Sequence, residues 1–241
     1  MRGVLEQPMK PQSQMRLSLV QATFPPRTTL PGQTATLEPL NRAAHGDALY
    51  EAMHGPAKEQ LWRYLWWGPF EDRAAFDSHL NWAEKSTDIV FYAIVDNATK
   101  RAEGYCAYLR IEPGHRVIEI GSIVYSPKIQ RSTCATEAMY LAARHVFEDL
   151  GYRRYEWKCD ALNGPSRKAA LRLGFTFEGI FRQHMIVKNL NRDTAWFSML
   201  DTEWPSCKKA FETWLDAKNF DEQGHQHRSL AAFRSEAQSL R

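Results

Sequence analysis

The feature that most constrains the fold is a run of three apolar segments separated by two short turns, between residues 89 and 125. The first segment, Ile89–Val95, is continuously β-branched and aromatic, which is typical of a buried strand. Two more segments, Gly104–Ile111 and Val117–Tyr125, follow the turns at Asn97–Lys100 and Pro113-Gly114. Because turns this short join neighbouring antiparallel strands, the sequence predicts an antiparallel meander.

Further elements are predicted on both sides of this meander. Before it, we expect a strand and two helices at Thr34–Leu40, Ala43–Met53 and Glu71–Lys85. After it, we expect a helix at Ser132–Leu150, a strand at Arg154–Asp160, a short helix from Asn163 to Gly174, strands at Phe175–Phe181 and Thr194–Leu200, and a helix at Pro205–Phe220. In the strand Arg154–Asp160 charged and apolar residues alternate, which predicts exposure on one face. This order favours a mixed α/β or α+β domain.

The chain is expected to contain three parts. Residues 1–32 are rich in Pro, Gln and Thr and predict an extended N-terminal segment. Residues 33–220 carry the predicted helices and strands and form the folded domain. Residues 221–241 are expected to be a polar C-terminal tail.

Charge and cysteine content exclude several classes of protein. Lysine and arginine total 31 against 28 acidic residues, so the net charge of +3 gives no reason to expect a nucleic-acid partner. The four cysteines lack the spacing of a zinc site, and no metal is expected. No stretch approaches the roughly 20 apolar residues of a membrane helix, and residues 1–14 lack the apolar run of a signal peptide. We therefore expect a soluble, cytoplasmic protein.

The junction after the third strand of the meander carries the most chemical information. A loop at Gln130–Thr136 begins a long helix among small hydroxyl residues, with Arg131 beside it. The first N–H groups of a helix lack internal partners and carry partial positive charge, so this end could bind a pyrophosphate. The alternative is that Ser132 and Thr133 only cap the helix.

This loop also carries a resemblance to a known family. The run Gln130–Ala138 resembles the Gln-x-x-Gly-x-Gly/Ala-Thr-Glu-Ala signature of the GNAT acyltransferase superfamily, with Thr133 at the central glycine. The match looks closest to the RimJ/RimL-type N-acetyltransferases. Order and spacing fit over roughly Thr34 to Leu200.

Two further segments resemble the same branch. Glu119-Ile120-Gly121 matches its Glu-Ile-Gly. Asn163-Gly164-Pro165-Ser166, with Leu173-Gly174-Phe175 and Phe177-Glu178-Gly179, is similar to its Asn-x-x-Ser…Leu-Gly-Phe…Glu-Gly. The resemblance implies the GNAT fold, a central mixed, mostly antiparallel sheet flanked by helices. It also implies acetyl-CoA as co-substrate and direct attack by an amine on the thioester.

The resemblance further implies a set of cofactor-binding residues. They are Ile123, Val124, Gln130, Arg131, Ser132, Thr133, Cys134, Ala135, Thr136, Asn163 and Ser166. An N–H near Val124 would polarise the thioester carbonyl. The thiol of Cys134 is expected to be inert, because direct attack needs no thiol.

Three residues are candidates for catalysis. Glu119 is the first candidate for the base that deprotonates the amine, the alternative being a strand carboxylate paired with an arginine. His184 is the second, the alternative being a packing or surface residue. Many GNAT enzymes protonate the departing thiolate with a tyrosine, whose position holds Ala170, so Ser166 could hydrogen-bond the sulfur instead. Ser166 and Asn163 could equally serve only the start of their helix.

The acceptor is less constrained by the sequence. An aromatic cluster between the first two helices is expected either to line the acceptor pocket or to pack the helices together: Trp62, Tyr64, Trp66 and Trp67.

We therefore expect an acetyl-CoA-dependent N-acetyltransferase acting on a primary amine, with a small molecule slightly favoured. The alternatives are a protein N-terminal acetyltransferase, a non-catalytic acyl-CoA-binding module and a structural protein without a cofactor. The exposed last strands could pair with a second copy to form a homodimer.

Overall fold

The predicted meander forms the centre of an eight-stranded sheet. The structure is a computed structural model and describes residues 20–239. Its strands are β1 (Leu30–Pro31), β2 (Ala35–Pro39), β3 (Val90–Asp96), β4 (Arg101–Glu112), β5 (Val117–Tyr125), β6 (Arg154–Asp160), β7 (Thr176–Val187) and β8 (Leu190–Leu200). They lie in the order β1-β2-β3-β4-β5-β6-β8-β7. Within residues 20–239, β5 and β6 are the only strands that pair in parallel, so the expected mixed, mostly antiparallel sheet flanked by helices is confirmed.

Four of the six α-helices described here begin directly after a residue whose side chain caps them. The six helices are α1 (Arg42–Met53), α2 (Arg73–Lys85), α3 (Thr133–Arg144), α4 (Gly164–Leu173), α5 (Trp204–Leu215) and α6 (Leu230–Ser239). Helices α1 to α4 each start after a side chain that accepts a first-turn N–H, from Asn41, Asp72, Ser132 and Asn163 respectively. These bonds satisfy donors that the helix itself leaves free. After α3 the chain continues through a π-helical turn, His145–Asp149.

Two hydrophobic cores lie on opposite faces of the sheet. On one face, Ile118 and Ile120 of β5 pack with the buried side of α3 and with α5. On the other, Phe91 of β3 and Tyr105 of β4 pack with α1 and α2. Because α1 and α2 cover β2 to β4, the same face of β5, β6, β8 and β7 is left for polar side chains.

A gap opens in the sheet between the two parallel strands. The pairing of β5 with β6 ends at Ile120 and Trp157, while β5 continues to Tyr125 and β6 to Asp160. In the same stretch the pairing of β5 with β4 shifts register, and Ser122 adopts a left-handed φ of 48°. A bulge of this kind bends a strand, and it turns β5 away from its partner.

The prediction that β6 is exposed on one face is wrong. Glu156 is buried, and the side chain of Lys158 is only 4% exposed. The reason is that β6 lies inside the sheet, between β5 and β8, where Glu119 and Trp196 of those strands cover its charged side chains.

The two ends of the chain are described in part. Residues 1–19, 240 and 241 lie outside the described range, and with them much of the predicted N-terminal segment and the end of the predicted tail. Residues 20–29 run without helix or strand, yet Ala22 is buried in the core. Within the predicted tail, Leu230 begins α6 and is fully buried, since α6 packs on α5 and α4. The described part of this segment therefore adds to the core.

Candidate active site

The gap between β5 and β6 brings two helix starts together. Because the strands are parallel, their carboxyl ends meet at one edge of the sheet. The loop after β5 leads there into α3, and the loop after β6 leads into α4. The predicted segments Gln130–Thr136 and Asn163–Ser166, distant in sequence, thus begin the helices at this edge.

The start of α3 keeps two backbone donors free. The hydroxyl of Ser132 accepts from Ala135 N at 3.1 Å, and Ser132 O accepts from Thr136 N at 3.3 Å. The N–H groups of Thr133 and Cys134 have no acceptor among residues 20–239. Ser132 is therefore a cap, and the helix still offers two donors to an anion.

The backbone of this loop explains why a threonine fits at the central glycine position. Thr133 is the first residue of α3, and its φ is not positive. The left-handed residue of the loop is Arg131, with a φ of 61° and an exposed side chain. Glycine is thus not required at residue 133 for the backbone conformation.

The other residues of the loop are mostly engaged within the protein. The side-chain amide of Gln130 donates to Tyr125 O at 3.3 Å. The hydroxyl of Thr136 donates to Ser132 O and accepts from Arg172 Nη1. Burial raises the pKa of the Cys134 thiol to about 12, which keeps it protonated and unreactive at neutral pH.

The start of α4 has a hydroxyl with a proton to donate. Asn163 Oδ1 accepts from Ser166 N at 3.1 Å, so Asn163 caps the helix. Ser166 Oγ accepts from Trp157 Nε1 at 3.0 Å, which fixes the oxygen and leaves its own proton for another group. A neighbour of this hydroxyl is Cys159, whose pKa is raised by burial and lowered to a lesser extent by Ser166.

A buried ion cluster lies on the open polar face of the sheet. Lys158 Nζ is 3.0 Å from Glu119 Oε2 and 2.7 Å from Glu156 Oε2, and it sits 3.8 Å from the centre of the Trp196 ring. Arg110 Nε is a second, more distant neighbour of Glu119 Oε2 at 3.7 Å. Glu119 is thus paired, with a lysine as its main partner.

The two carboxylates of this cluster differ in acidity. Burial raises the pKa of Glu119, and this outweighs the attraction of Lys158 and Arg110. Burial alone would also raise the pKa of Glu156, but its hydrogen bonds with Lys158 and Arg154 together lower it. Glu119 is therefore the carboxylate of the pair that takes up a proton more readily.

Charges of alternating sign extend the cluster across the sheet. Arg154 Nε is 2.7 Å from Glu156 Oε1, and its two terminal nitrogens bond both oxygens of Glu178. Glu178 also accepts from Ser198 Oγ at 2.6 Å. Each of these carboxylates has a cationic partner, as buried charges require.

His184 lies on the same polar face. Its Nδ1 is 2.9 Å from Thr194 Oγ1, and its ring is 5.8 Å from that of Trp196. Burial lowers the pKa of His184, as do the charges of Arg110, Arg192 and Lys158. At neutral pH the imidazole is therefore neutral and able to accept a proton. Arg110 and Lys158 act on both His184 and Glu119, so the two predicted base candidates share one face.

The structure divides the predicted aromatic cluster into two pairs. Trp62 is buried in the core, where its Nε1 donates to Met53 O, and Trp67 packs between α2 and the sheet. Tyr64 instead reaches Leu162 O, at the end of β6, with its hydroxyl at 3.3 Å. Trp66 is 46% exposed and lies 5.9 Å from the Arg192 guanidinium. The first pair packs the helices, and the second pair lies beside the polar face.

Sequence reasoning missed three residues of this face, namely Lys158, Arg192 and Trp196. The alternation in β6 predicts that Lys158 faces solvent, because it predicts that one face of this strand is exposed. A usable signal was present: a strand that follows a helical crossover pairs in parallel with the strand before the helix and lies inside the sheet, so its charged residues have neighbours on both adjoining strands.

Neither a metal centre nor a membrane helix is found in the described part of the chain. Residues 20–239 contain no group of three or more His, Cys, Asp or Glu side chains placed to hold a metal ion. Within the same range, no helix combines the length and apolar character needed to span a bilayer.

Comparison with known proteins adds independent information. A family model described as an acetyltransferase (GNAT) domain matches residues 35–176. No curated protein is similar enough to match. Among solved structures, a GCN5-related N-acetyltransferase from Brucella melitensis is 49% identical, with a TM-score of 0.88 over 90% of this chain and 98% of the other. A probable acetyltransferase of the GNAT family from Chromobacterium violaceum is 39% identical, with a TM-score of 0.76 over 83% and 99% of the two chains.

A more distant likeness concerns the branch predicted from the motifs. RimL, described as a ribosomal L7/L12 alpha-N-protein acetyltransferase, is 20% identical, with a TM-score of 0.62 over 72% of this chain and 94% of its own. At this identity the likeness shows a shared fold and nothing finer.

Proposed function

Because this chain belongs to the GNAT acetyltransferase family, we propose that it transfers the acetyl group of acetyl-CoA to a primary amine, with a small molecule as the favoured acceptor. The observation that carries the proposal is the gap between β5 and β6, with the free N–H groups of α3 at its edge. A pantetheine arm entering this gap would bring a thioester to the polar face that holds Glu119 and His184.

The residues at the gap fit acetyl-CoA by their chemistry. The free N–H groups of Thr133 and Cys134, with Arg131, supply donors and positive charge for the pyrophosphate. Gln130, Ser132, Ala135 and Thr136 shape that loop. Backbone groups of Ile123 and Val124, at the diverging end of β5, face the pantetheine arm together with Asn163.

The reaction is a direct acyl transfer. The neutral amine attacks the thioester carbon, the new C–N bond forms, and the C–S bond breaks. A backbone N–H near Val124 stabilises the negative charge that develops on the carbonyl oxygen. The hydroxyl of Ser166, whose oxygen is held by Trp157 Nε1 at 3.0 Å, donates a hydrogen bond to the departing thiolate, and the proton that the amine gives up balances the thiol product.

The amine loses its proton to a base on the polar face. Glu119 is the proposed base, because its raised pKa makes it a better proton acceptor than an ordinary carboxylate. Lys158 holds its Oε2 at 3.0 Å and leaves Oε1 for the amine or for a bridging water. His184 is the second candidate, since it is neutral at neutral pH.

Two alternatives are kept because specific observations favour them. A protein N-terminus as acceptor is favoured by the RimJ/RimL-type motifs near Glu119, Gln130 and Asn163. A non-catalytic acyl-CoA-binding module is favoured by Ala170, which stands where many family members have a tyrosine acid.

The first experiment measures acetyl-CoA binding and turnover on the same protein. Saturation at about 100 times Kd should stabilise the fold by about 2.7 kcal/mol, which corresponds to a rise in Tm of about 5–10 °C for a domain of this size. Release of free thiol from acetyl-CoA is then followed over a panel of small amines and peptides. Turnover on small amines supports the proposal, and turnover on peptides alone supports the N-terminal alternative. Binding without turnover supports the module, and an unchanged Tm would refute acetyl-CoA binding.

A further inference from the structure

Two donors on β8 are buried without a partner. Arg192 is only 8% exposed, and its Nε has no hydrogen-bond acceptor among the described residues. The indole Nε1 of Trp196 is likewise buried without an acceptor there. A buried donor without an acceptor destabilises the fold, and more so when it is charged. Two such donors in one region point to a ligand that satisfies them.

Both donors belong to the polar face that holds the proposed base. Residues 192, 194 and 196 alternate with the core residues of β8, so they share a face. Thr194, between the two donors, bonds His184 at 2.9 Å. Trp196 stacks under Lys158, the partner of Glu119. The donors therefore lie beside the groups that would receive the amine.

The charges around Arg192 leave it without a counter-ion. Lys158 has two carboxylates within 3.0 Å, and Arg154 has two within 2.7 Å. Arg192 has no carboxylate within 4.0 Å among the described residues, although Asp160 and Glu119 act on it from farther away. A buried cation of this kind is stable only when a partner or a ligand compensates it.

The shape and surroundings of the donors select the ligand. A guanidinium binds a carboxylate through parallel N–H bonds, and an indole N–H can only donate. Trp66 lies over the guanidinium at 5.9 Å and adds an apolar wall. The pyrophosphate of acetyl-CoA is not a candidate, since its proposed seat at the start of α3 adjoins the other face of the sheet.

We infer that Arg192 and Trp196 bind a carboxylate carried by the acceptor, so that the substrate is a primary amine bearing an acid group. This inference rests on the proposed function and narrows its substrate class. It makes Arg192 a specificity-determining residue, since an acceptor without the acid group leaves the guanidinium unpaired. The bond to the carboxylate positions the amine and takes no part in the proton transfer.

The test compares acids with their amides. Acetylation is measured for glycine, β-alanine, 4-aminobutanoate and 6-aminohexanoate, each beside its primary amide, because chain length sets the distance from the amine to the acid. Rates are compared at equal concentrations of the neutral amine. For at least one length we expect kcat/KM to be about 10- to 100-fold higher for the acid than for the amide.

Variants of Arg192 test whether this residue causes the preference for acids over amides. Arg192→Gln should reduce the ratio of acid to amide to about 1 by slowing the acid far more than the amide, and Arg192→Lys should restore part of the ratio. Arg182→Gln, on the exposed side of β7, is the matched control and should keep the ratio of the wild-type protein. Acid and amide reacting equally at every length, or Arg192→Gln slowing both equally, would overturn the inference.

Two further measurements separate the remaining outcomes. If succinyl-CoA replaces acetyl-CoA as the preferred donor and Arg192→Gln abolishes that preference, the carboxylate belongs to the acyl group and the inference is wrong. If no amine is acetylated, the proposed function fails, and isothermal titration calorimetry then tests only whether the carboxylate binds at Arg192. Binding of one of the four amino acids that is lost in Arg192→Gln and kept in Arg182→Gln would support the carboxylate site, and equal binding to both variants would overturn it.

Discussion

At the scale of single residues, the pairing of Lys158 with two buried carboxylates is the main chemical feature of the polar face. A buried ion pair is weak evidence for stability, because desolvation offsets most of the attraction. It is better evidence for positioning, since Lys158 is fixed from three sides, by Glu119, Glu156 and the ring of Trp196. One carboxylate oxygen of Glu119 is thereby held, and the other is available to the amine in the proposed reaction.

Replacing Glu119 by glutamine tests its role as the base. A base must be deprotonated, so activity falls as the pH drops through its pKa, and the raised pKa of Glu119 moves that fall to a higher pH than for an ordinary glutamate. Glu119→Gln should lower kcat/KM by about 10²- to 10⁴-fold and remove this acidic limb. The measurement is the pH profile of kcat/KM with one amine, whose own titration is common to all variants.

The chain supplies matched controls for this experiment. Glu156→Gln removes the other carboxylate from Lys158 and should keep the acidic limb of the pH profile. His184→Gln tests the second candidate, whose lowered pKa would place its own limb below the usual range of histidine. Glu119 is excluded as the base if its variant retains the acidic limb, and His184 takes its place if that limb disappears in His184→Gln.

At the scale of elements, the signature at the start of α3 combines the proposed cofactor site with a structural clasp. Glu137, the glutamate of the Thr-Glu-Ala motif, is buried and accepts from the backbone N–H groups of Gln33, Thr34 and Ala35 at 2.5–2.9 Å. It also accepts from the Thr34 hydroxyl. A Cβ at Gly32 would lie 2.8 Å from this carboxyl group, so the close approach requires glycine. These hydrogen bonds, which we call the Glu137 clasp, hold the start of β2 against α3.

Removing one acceptor oxygen should weaken this clasp. In Glu137→Gln an amide nitrogen replaces a carboxylate oxygen and faces N–H donors, so at least one buried donor loses its partner. The free energy of unfolding should fall by about 1–3 kcal/mol, measured by urea denaturation. Glu222→Gln, at an exposed position, should change it by less than about 0.5 kcal/mol. Equal stability of the two variants would mean that the clasp does not hold β2 to α3.

Local sequence signals predicted the elements well and their surroundings less well. The meander and the cap Asn163 follow from neighbouring residues, and the structure contains them. The burial of β6 depends on β5 and β8, which are distant in sequence. Alternation within β6 alone separated its two faces correctly but predicted that the charged face is exposed. A period of two tells which residues share a face, but it does not tell what covers that face.

At the scale of the whole molecule, the candidate site is assembled from segments more than 100 residues apart. The motifs near Glu119, Gln130 and Asn163 could be found from the sequence because each is a contiguous pattern. Arg192 and Trp196 belong to no such pattern, and only the pairing of β8 with β6 brings them beside Lys158. The residues proposed to bind the acceptor were therefore less predictable than the residues proposed to bind acetyl-CoA.

The C-terminal helix is connected to the cofactor loop through two arginines. Arg234 of α6 donates to Arg172 O at 3.1 Å, and the guanidinium of Arg172 donates to the Thr136 hydroxyl at 3.1 Å. These contacts link α6 to α4 and α4 to the first turn of α3. They indicate that α6 supports the site as well as the core.

Truncation of Leu230 tests whether α6 belongs to the cooperative fold. Leu230 is fully buried in the core that contains α3 and α5, so Leu230→Ala should lower the free energy of unfolding by about 2–5 kcal/mol through lost contacts and a cavity. Leu190→Ala, at a residue that is 71% exposed, is the control and should change it by less than about 0.5 kcal/mol. Both values come from urea denaturation monitored by tryptophan fluorescence and by circular dichroism. If Leu230→Ala unfolds at the wild-type midpoint, α6 is not part of the cooperative unit. If its midpoint falls but the two probes no longer coincide, α6 unfolds separately from the sheet.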